Sequence, residues 1–399
     1  MRVLNYIGTL PPGSLSGEVM VAKNDMKSLN LAGHVAIQYD ISRFNNGLIN
    51  KLLRPIRLFV FPYEIYYIRK KIKSFQPDIV HLHTVTPYVS ISLLIYLAAL
   101  KMPIIQTLHN VRWVCLEGAY YREGRYCDKC SGKNGFSGVV NRCNKNVARS
   151  LILFFINRIV RVGKFLFKSV TYFMPVSDFV RREHLLNGFP ADKLVTKSNS
   201  IDLENLPNIL KGDCRREGVV FASRVSKSKG SDVLKVIMTE IIYPIYVIGD
   251  GPELIDLKGY CISNKYNHVY FLGKVSQQEC LTHMASALCT IVPSQCGESF
   301  SLVAAESMAL GTPVVGSDIG GLGSLLKKAG GGIAVQYNNP KFFIDAISNL
   351  IDNPVLAGSL GKAGREYVEE ELNAKRNAEK LIAIYNNALK ERRGNASLI

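Results

Sequence analysis

The chain reads as an α/β protein built from two successive parallel-sheet domains. Three observations predict this. Its 399 residues exceed the usual size of one domain. Short apolar runs alternate with helical patterns in both halves, as βαβ units do. The polar stretch 199–217 separates the two series and reads as a linker. The expected division is therefore 1–198, a linker at 199–217, 218–372, and a helical tail at 373–399 that crosses back to the first domain.

The first series opens with a strand at Val3–Ile7, a loop from Leu10 to Glu18, and a helix running to about Leu31. Strands follow at Val35–Tyr39, Asp78–Leu82, Pro103–Thr107 and Tyr172–Val176. The second series places strands at Gly218–Ala222, Tyr246–Gly249, Val269–Leu272, Cys289–Pro293 and Pro313–Gly316. Residues 373–390, rich in Ala, Lys and Glu, read as a final helix. No fixed-period repeat or low-complexity tract interrupts the pattern.

Composition narrows the class. Hydrophobic residues make up 47% and charged residues 20%, a globular balance. The formal charge of +17 implies an anionic partner: nucleic acid, an anionic membrane or a phosphorylated substrate. No zinc-finger or RRM pattern supports nucleic acid. The run from Ile79 to Leu100 has no charged side chain and approaches the ~20 residues of a bilayer span. It holds His81, His83 and Pro87, and reads instead as strand, loop and buried helix. The opening residues read as a strand, not a secretory signal, so a reducing, cytoplasmic setting is expected.

Ligands of open α/β sheets bind beyond the carboxyl ends of strands, and the polar motifs fall there. After the strand ending at Pro293 comes Gly297-Glu298-Ser299-Phe300-Ser301-Leu302, then a helix closed by Gly311. The start of that helix offers unpaired N–H groups and a positive dipole end, which suit a diphosphate. Glu298 precedes the helix and Glu306 lies about two turns in. Two such carboxylates can each accept hydrogen bonds from hydroxyl pairs of a sugar or ribose. In isolation they would equally be solvated helix-end charges. Ser223-Arg224-Val225-Ser226-Lys227-Ser228-Lys229-Gly230 follows the first strand of the second series. Cations on such a loop can clamp a diphosphate, Arg as a fork and Lys as a point charge. Val247-Ile248-Gly249-Asp250-Gly251-Pro252 runs from strand into a glycine turn, a weaker signal. Gly13 and Gly17 stand in the first βα loop, where glycine lets backbone approach a phosphate. His81, His83 and His109 end or follow strands, and each could instead be a hydrogen-bonded structural residue.

Together these motifs resemble glycosyltransferase family 4, retaining enzymes of the GT-B fold. The match consists of Glu298-x7-Glu306, then Gly311-Thr312-Pro313-Val314-Val315, then Gly320-Gly321. The resemblance implies two Rossmann-like domains with parallel sheets facing across a cleft. It places Glu298 at the donor sugar and Glu306 at the nucleotide ribose. It selects Arg224 and Lys229 for the diphosphate, with Lys227 left as surface charge. Gly251, Phe300, Ser301 and Leu302 would line the donor, and Gly17 would approach it from the first domain. His109, in Gln106-Thr107-Leu108-His109-Asn110, matches a histidine near the transferred sugar. His81 and His83 fit an Asp-x-x-His-x-His segment, with His83 assigned to the acceptor side and Gly33-His34-Val35 taken as structural.

The resemblance further implies front-face transfer in which the leaving phosphate accepts the proton. No Asp-x-Asp pair occurs, so no catalytic metal is expected. Two departures bear on the donor. Leu322-Gly323-Ser324 lacks the glutamate usual after the Gly-Gly loop, and Ser301 replaces a usual glycine. Two rival readings follow: a non-catalytic partner subunit of the same fold, or a nucleotide-sugar epimerase.

Cys115, Cys127, Cys130 and Cys143 cluster around a Cys-x2-Cys pair. Four thiols so spaced could hold one structural Zn²⁺, or be ordinary reduced cysteines in a loop. Segments Lys51–Phe61, Tyr66–Lys73 and Arg158–Lys168 mix cations with apolar residues, and could lie on an anionic membrane or be solvated helix faces. The first option fits a glycan acceptor on a polyprenyl diphosphate, met at the inner face of a cell membrane in the assembly of a bacterial capsule, exopolysaccharide or O-antigen.

Overall fold

The computed structural model describes residues 1–7, 17–40, 62–83, 91–133, 135–144, 146–162, 165–207 and 216–396. The chain forms two compact units. The first comprises Met1–Ala119, Asp128–Ser200 and Ala374–Ile399, and the second Tyr120–Cys127 and Ile201–Asn373.

The first unit holds a five-stranded parallel sheet. Its strands are β1 (Arg2–Ile7), β2 (Val35–Asp40), β3 (Ile79–Leu82), β4 (Ile104–Leu108) and β7 (Tyr172–Pro175). The spatial order is β2-β1-β3-β4-β7. Strands buried on both faces read as continuous apolar runs, and Ile79–Leu82 and Ile104–Leu108 are buried throughout. Helix Gly17–Leu31 covers one face together with helix Ala374–Ala396. Leu381, Tyr385 and Ala388 of the last helix pack against Val3, Leu29 and Ile105 in one core.

The second unit holds a six-stranded parallel sheet of β8 (Val219–Ala222), β9 (Ile245–Ile248), β10 (Val269–Gly273), β11 (Cys289–Val292), β12 (Val314–Ser317) and β13 (Gly332–Val335). The order is β10-β9-β8-β11-β12-β13. Alternation along β8 divides the core: Val219 and Phe221 join one hydrophobic layer, Val220 and Ala222 the other. A small antiparallel hairpin, β5 (Tyr121–Arg122) with β6 (Arg125–Tyr126), belongs to this unit. There the Tyr126 ring meets Tyr337 edge to face at 5.8 Å.

Of the segment 199–217 expected as a linker, Asn199 and Ser200 fall in the first unit and Ile201 onward in the second. Ile201 donates its N–H to Leu372 O at 2.8 Å, and Glu217 donates to Ser286 O at 2.9 Å. Its middle, 208–215, lies outside the described residues, as do the Leu10–Ser16 loop with Gly13, the segment Lys51–Phe61 and Pro87. Strand β13 was not foreseen, since Gly330-Gly331-Gly332 masks the apolar run Ile333–Val335 behind turn-forming residues. The β5–β6 hairpin was also missed, because two-residue strands leave no periodicity to read. Among the described residues, no helix is long and apolar enough to cross a membrane.

Candidate functional site

In the second unit the sequence candidates gather at the carboxyl ends of β8, β9 and β11. The loop after β8 carries Arg224 and Lys229, with Arg224 exposed. This loop is gripped on one side by the Gly249–Gly251 turn. A Cβ at Gly251 would lie 2.2 Å from Val225 O, so any side chain there would push the loop out. Val225 N–H also donates to Asp250 O at 3.0 Å. The glycine turn thus positions the loop that bears the two cations.

Glu298 stands on the loop after β11. Its side chain is only 9% exposed, while that of Lys229 is 32% exposed. Lys229 Nζ donates to Glu298 Oε1 at 2.8 Å. Ser294 Oγ donates to the same oxygen, and Ser301 supplies a further side-chain hydrogen bond. Burial opposes the charge on Glu298, but the Lys229 ammonium and these donors outweigh it and hold the carboxyl below the usual carboxylate range. Burial likewise works against the Lys229 ammonium, and the Glu298 charge overcomes it, raising the lysine above its ordinary value. The backbone of this loop is fixed by Gly321, whose N–H donates to Glu298 O at 2.5 Å. A Cβ at Gly321 would fall 2.2 Å from Ser299 O, so the Gly-Gly pair lets the next helix approach the Glu298 loop.

Helix Leu302–Ala309 begins directly beyond Phe300 and Ser301, both of them buried. Ser301 has φ +79°, a left-handed conformation that L residues avoid. This is the position where the sequence departs from a glycine. The serine tolerates a glycine-like backbone and in exchange places a hydroxyl on Glu298. Glu306 follows on the helix and accepts a hydrogen bond from Gln277 Nε2 at 3.0 Å. Burial pushes its carboxyl up to about 7, against the Gln277 bond. The far end of the helix is anchored by Arg216, which donates to Leu310 O at 2.8 Å and to Thr312 Oγ1. Ser324 is exposed and donates to Gly320 O at 3.1 Å, so it returns onto its own helix.

In the first unit, a polar ladder occupies the ends of β1, β3 and β4. Asn5 and His81 are register partners, and His83, Thr107 and His109 continue that face. His83 Nε2 lies 3.1 Å from Asn5 Oδ1, and His83 Nδ1 lies 3.3 Å from His109 Nε2. With Asn5 Oδ1 as acceptor, His83 donates from Nε2 and receives at Nδ1 the Nε2 proton of His109. His109 then presents a bare Nδ1. His81 bonds Tyr385 OH and Thr107 Oγ1, each at 2.7 Å. Burial, aided by the Lys197 charge, pushes His83 down to about 3. Burial and the neighbouring His83 hold His109 well below its ordinary value. Both rings are therefore neutral near pH 7. Lys197 itself pairs with Asp25 at 2.8 Å, with side-chain exposures of 3% and 5%.

Gly17 is exposed and opens helix Gly17–Leu31. The next residue, Glu18, accepts a hydrogen bond from Asn110 Nδ2 at 2.8 Å. Burial raises its carboxyl, against the Asn110 bond and the Arg112 charge. The sequence reading passed over Glu18, Asn110 and Asn5. Asn110 adjoins His109 and Glu18 adjoins Gly17, so adjacency to the candidates was the available signal. Cys115 and Cys130 are buried and Cys127 and Cys143 half-buried. Among the described residues, no three His, Cys, Asp or Glu side chains are grouped to hold a metal ion. Cys130 Sγ lies 3.9 Å from Gly135 O.

The model of glycosyltransferase family 4 matches residues 43–205, and that of glycosyl transferases group 1 matches residues 205–367. An uncharacterized glycosyltransferase of Methanocaldococcus jannaschii is 26% identical over 332 residues, 82% of each chain. Sucrose-phosphate synthase of Thermosynechococcus elongatus superposes with a TM-score of 0.72 at 17% identity, covering 98% of this chain and all of that one. Anabaena HepE, solved in complex with UDP, superposes with a TM-score of 0.66 at 13% identity, covering 97% of this chain and all of that one. The matched neighbours share the GT-B fold, and the two family models, matching consecutive stretches over most of the chain, make it a glycosyltransferase of the group 1 and family 4 type.

Proposed function

We propose that this glycosyltransferase moves a sugar from a nucleotide-diphosphate sugar, with retention at the anomeric carbon, to a lipid-linked glycan in the assembly of a bacterial surface polysaccharide. The observation that carries the donor half of this reading is the Lys229–Glu298 pair at the end of β8 and β11, with Glu306 about one turn along the following helix. Lys229 and Arg224 would bind the diphosphate and stabilise charge on the leaving group. Glu298 would accept hydroxyls of the sugar, and Glu306 those of the ribose. Two cations and a helix end would neutralise the diphosphate without a divalent ion. Uridine diphosphate is the first nucleotide to test, since Anabaena HepE was solved with it. His109, with its bare Nδ1, would accept a hydrogen bond from a hydroxyl of the sugar, and His83 would hold it in that tautomer. The acceptor half of the reading rests on charge: a chain of +17 suits a diphosphate-bearing lipid and a cytoplasmic, peripheral place at a membrane.

The test is calorimetry of a nucleotide-diphosphate panel with wild type and Arg224→Ala. Selective binding of one nucleotide, weakened in the variant, supports the donor site and names the base. Failure of the folded wild type to bind any member would sink the reading in favour of a non-catalytic subunit.

A further inference from the structure

The charge of the first unit is unevenly spread. From Lys129 to Ser177 the sequence contains nine cations and no Asp or Glu, the nearest acids being Asp128 and Asp178. This stretch folds into helix Ser137–Val140 packed on helix Val147–Val162. Their inner faces are conventional core: Val139 and Phe154 pack with Leu116, and Ile156 is fully buried. Their outer faces are not polar. Phe136 is 46% exposed, Val140 66%, Val147 41%, Ile152 37% and Phe155 55%. Val147, Phe155 and Arg158 fall on one face at helical spacing, with Leu151 between them half-buried against the core. The rings are continuous with the core: Phe136 meets Phe154 at 5.4 Å, and Phe154 meets Phe155 at 5.6 Å. Lys129, Lys133, Arg142, Arg149 and Arg158, of the same stretch, are all exposed.

An exposed cluster of aromatic and aliphatic side chains of this size marks a contact surface. The excess of cations along this stretch of sequence selects the partner. Anionic headgroups complement it, and the apolar centre suits the region just below them. We propose that the outer face of residues 136–158 is a docking surface for an anionic lipid bilayer, with Phe136 and Phe155 inserting and Arg142 and Arg149 reading the headgroups. This differs from the amphipathic segments named from sequence, of which Lys51–Phe61 lies outside the described residues. It deepens the lipid-linked acceptor reading and rests on it for its biological sense. The surface would hold the first unit where a lipid-borne acceptor resides.

The experiment is co-sedimentation of the full chain with phosphatidylcholine vesicles, with and without phosphatidylglycerol. Wild type is expected to bind the anionic vesicles and lose binding in high salt. The double variant Phe136→Ser/Phe155→Ser should bind them about tenfold more weakly. Arg142→Gln/Arg149→Gln should lose the preference for anionic lipid. Because Phe136 touches the core through Phe154, Val140→Glu serves as an independent variant that places an acid on the surface, and it should also weaken binding. Three outcomes overturn the proposal: no binding by wild type, binding unchanged in Phe136→Ser/Phe155→Ser and Val140→Glu, or a wild-type dimer that these variants dissociate, which would make the face an interface between copies. Uridine diphosphate calorimetry on the same samples separates the two readings. Nucleotide binding without vesicle binding overturns the surface and leaves the donor site standing.

Discussion

Lys229 and Glu298 are joined by a 2.8 Å hydrogen-bonded ion pair, although the motif assigns one to the diphosphate and the other to the sugar. The two act as one unit, and their substitutions should not add. Lys229→Met and Glu298→Gln should each lower kcat/KM by roughly 10²–10³. The double variant should fall little further, because either change leaves the other group unpaired. Steady-state kinetics of the three variants would decide; additive losses would separate their roles.

Glu306 should make nucleotide binding pH-dependent. Its carboxyl is raised to about 7 by burial, and ribose hydroxyls favour the ionised form. Binding below about pH 7 should therefore release a proton and weaken as pH falls. Calorimetry in buffers of different ionisation enthalpy measures the release. Stability should run the opposite way. The folded value lies above the unfolded one, so the folded protein holds the proton longer and its stability falls as pH rises to about 7. Glu306→Gln should remove both dependences.

The histidine ladder should not titrate in the working range. His83 is held near 3 and His109 well below its ordinary value, so neither ring should gain a proton between about pH 6.5 and 8. Imidazole resonances that shift in that interval and belong to these two residues would contradict the neutral, donating chain from His109 to Asn5.

Ser301 should invert the usual order of small residues. Its φ of +79° strains any side chain, while its hydroxyl bonds Glu298. Ser301→Ala keeps the strain and loses the bond, which should cost about 1–2 kcal/mol. Ser301→Gly loses both and should lie within about 1 kcal/mol of wild type. Denaturant titration should therefore find Gly more stable than Ala at this position.

The Lys197–Asp25 pair is nearly inaccessible, and breaking it strands a charge. Lys197→Met alone should destabilise by about 3–5 kcal/mol, and Lys197→Met/Asp25→Leu by much less. Thermal unfolding of both variants checks this.

Much of this was legible in the sequence. Strands such as Cys289–Val292 and Val314–Ser317 stand out because parallel strands buried on both faces read as unbroken apolar runs. The donor motifs were legible because they follow those strands directly. Strand Gly332–Val335 was hidden by three glycines, whose residue type speaks for a turn whatever the pairing. The ion pair itself joins residues 69 positions apart, and no local pattern announces it. The ladder from Asn5 through His83 to His109 likewise depends on which strands are neighbours, a property of topology rather than of any segment.

The helix Ala374–Ala396 has a consequence for how the protein is made. It lends Leu381, Tyr385 and Ala388 to a core whose other members include Val3 and Leu29. During synthesis the first unit therefore waits, with part of its apolar interior uncovered, until nearly the whole chain has left the ribosome. Apart from a short hairpin segment, the second unit is contiguous from Ile201 to Asn373 and can complete its own interior earlier. The half translated first is the half that finishes last.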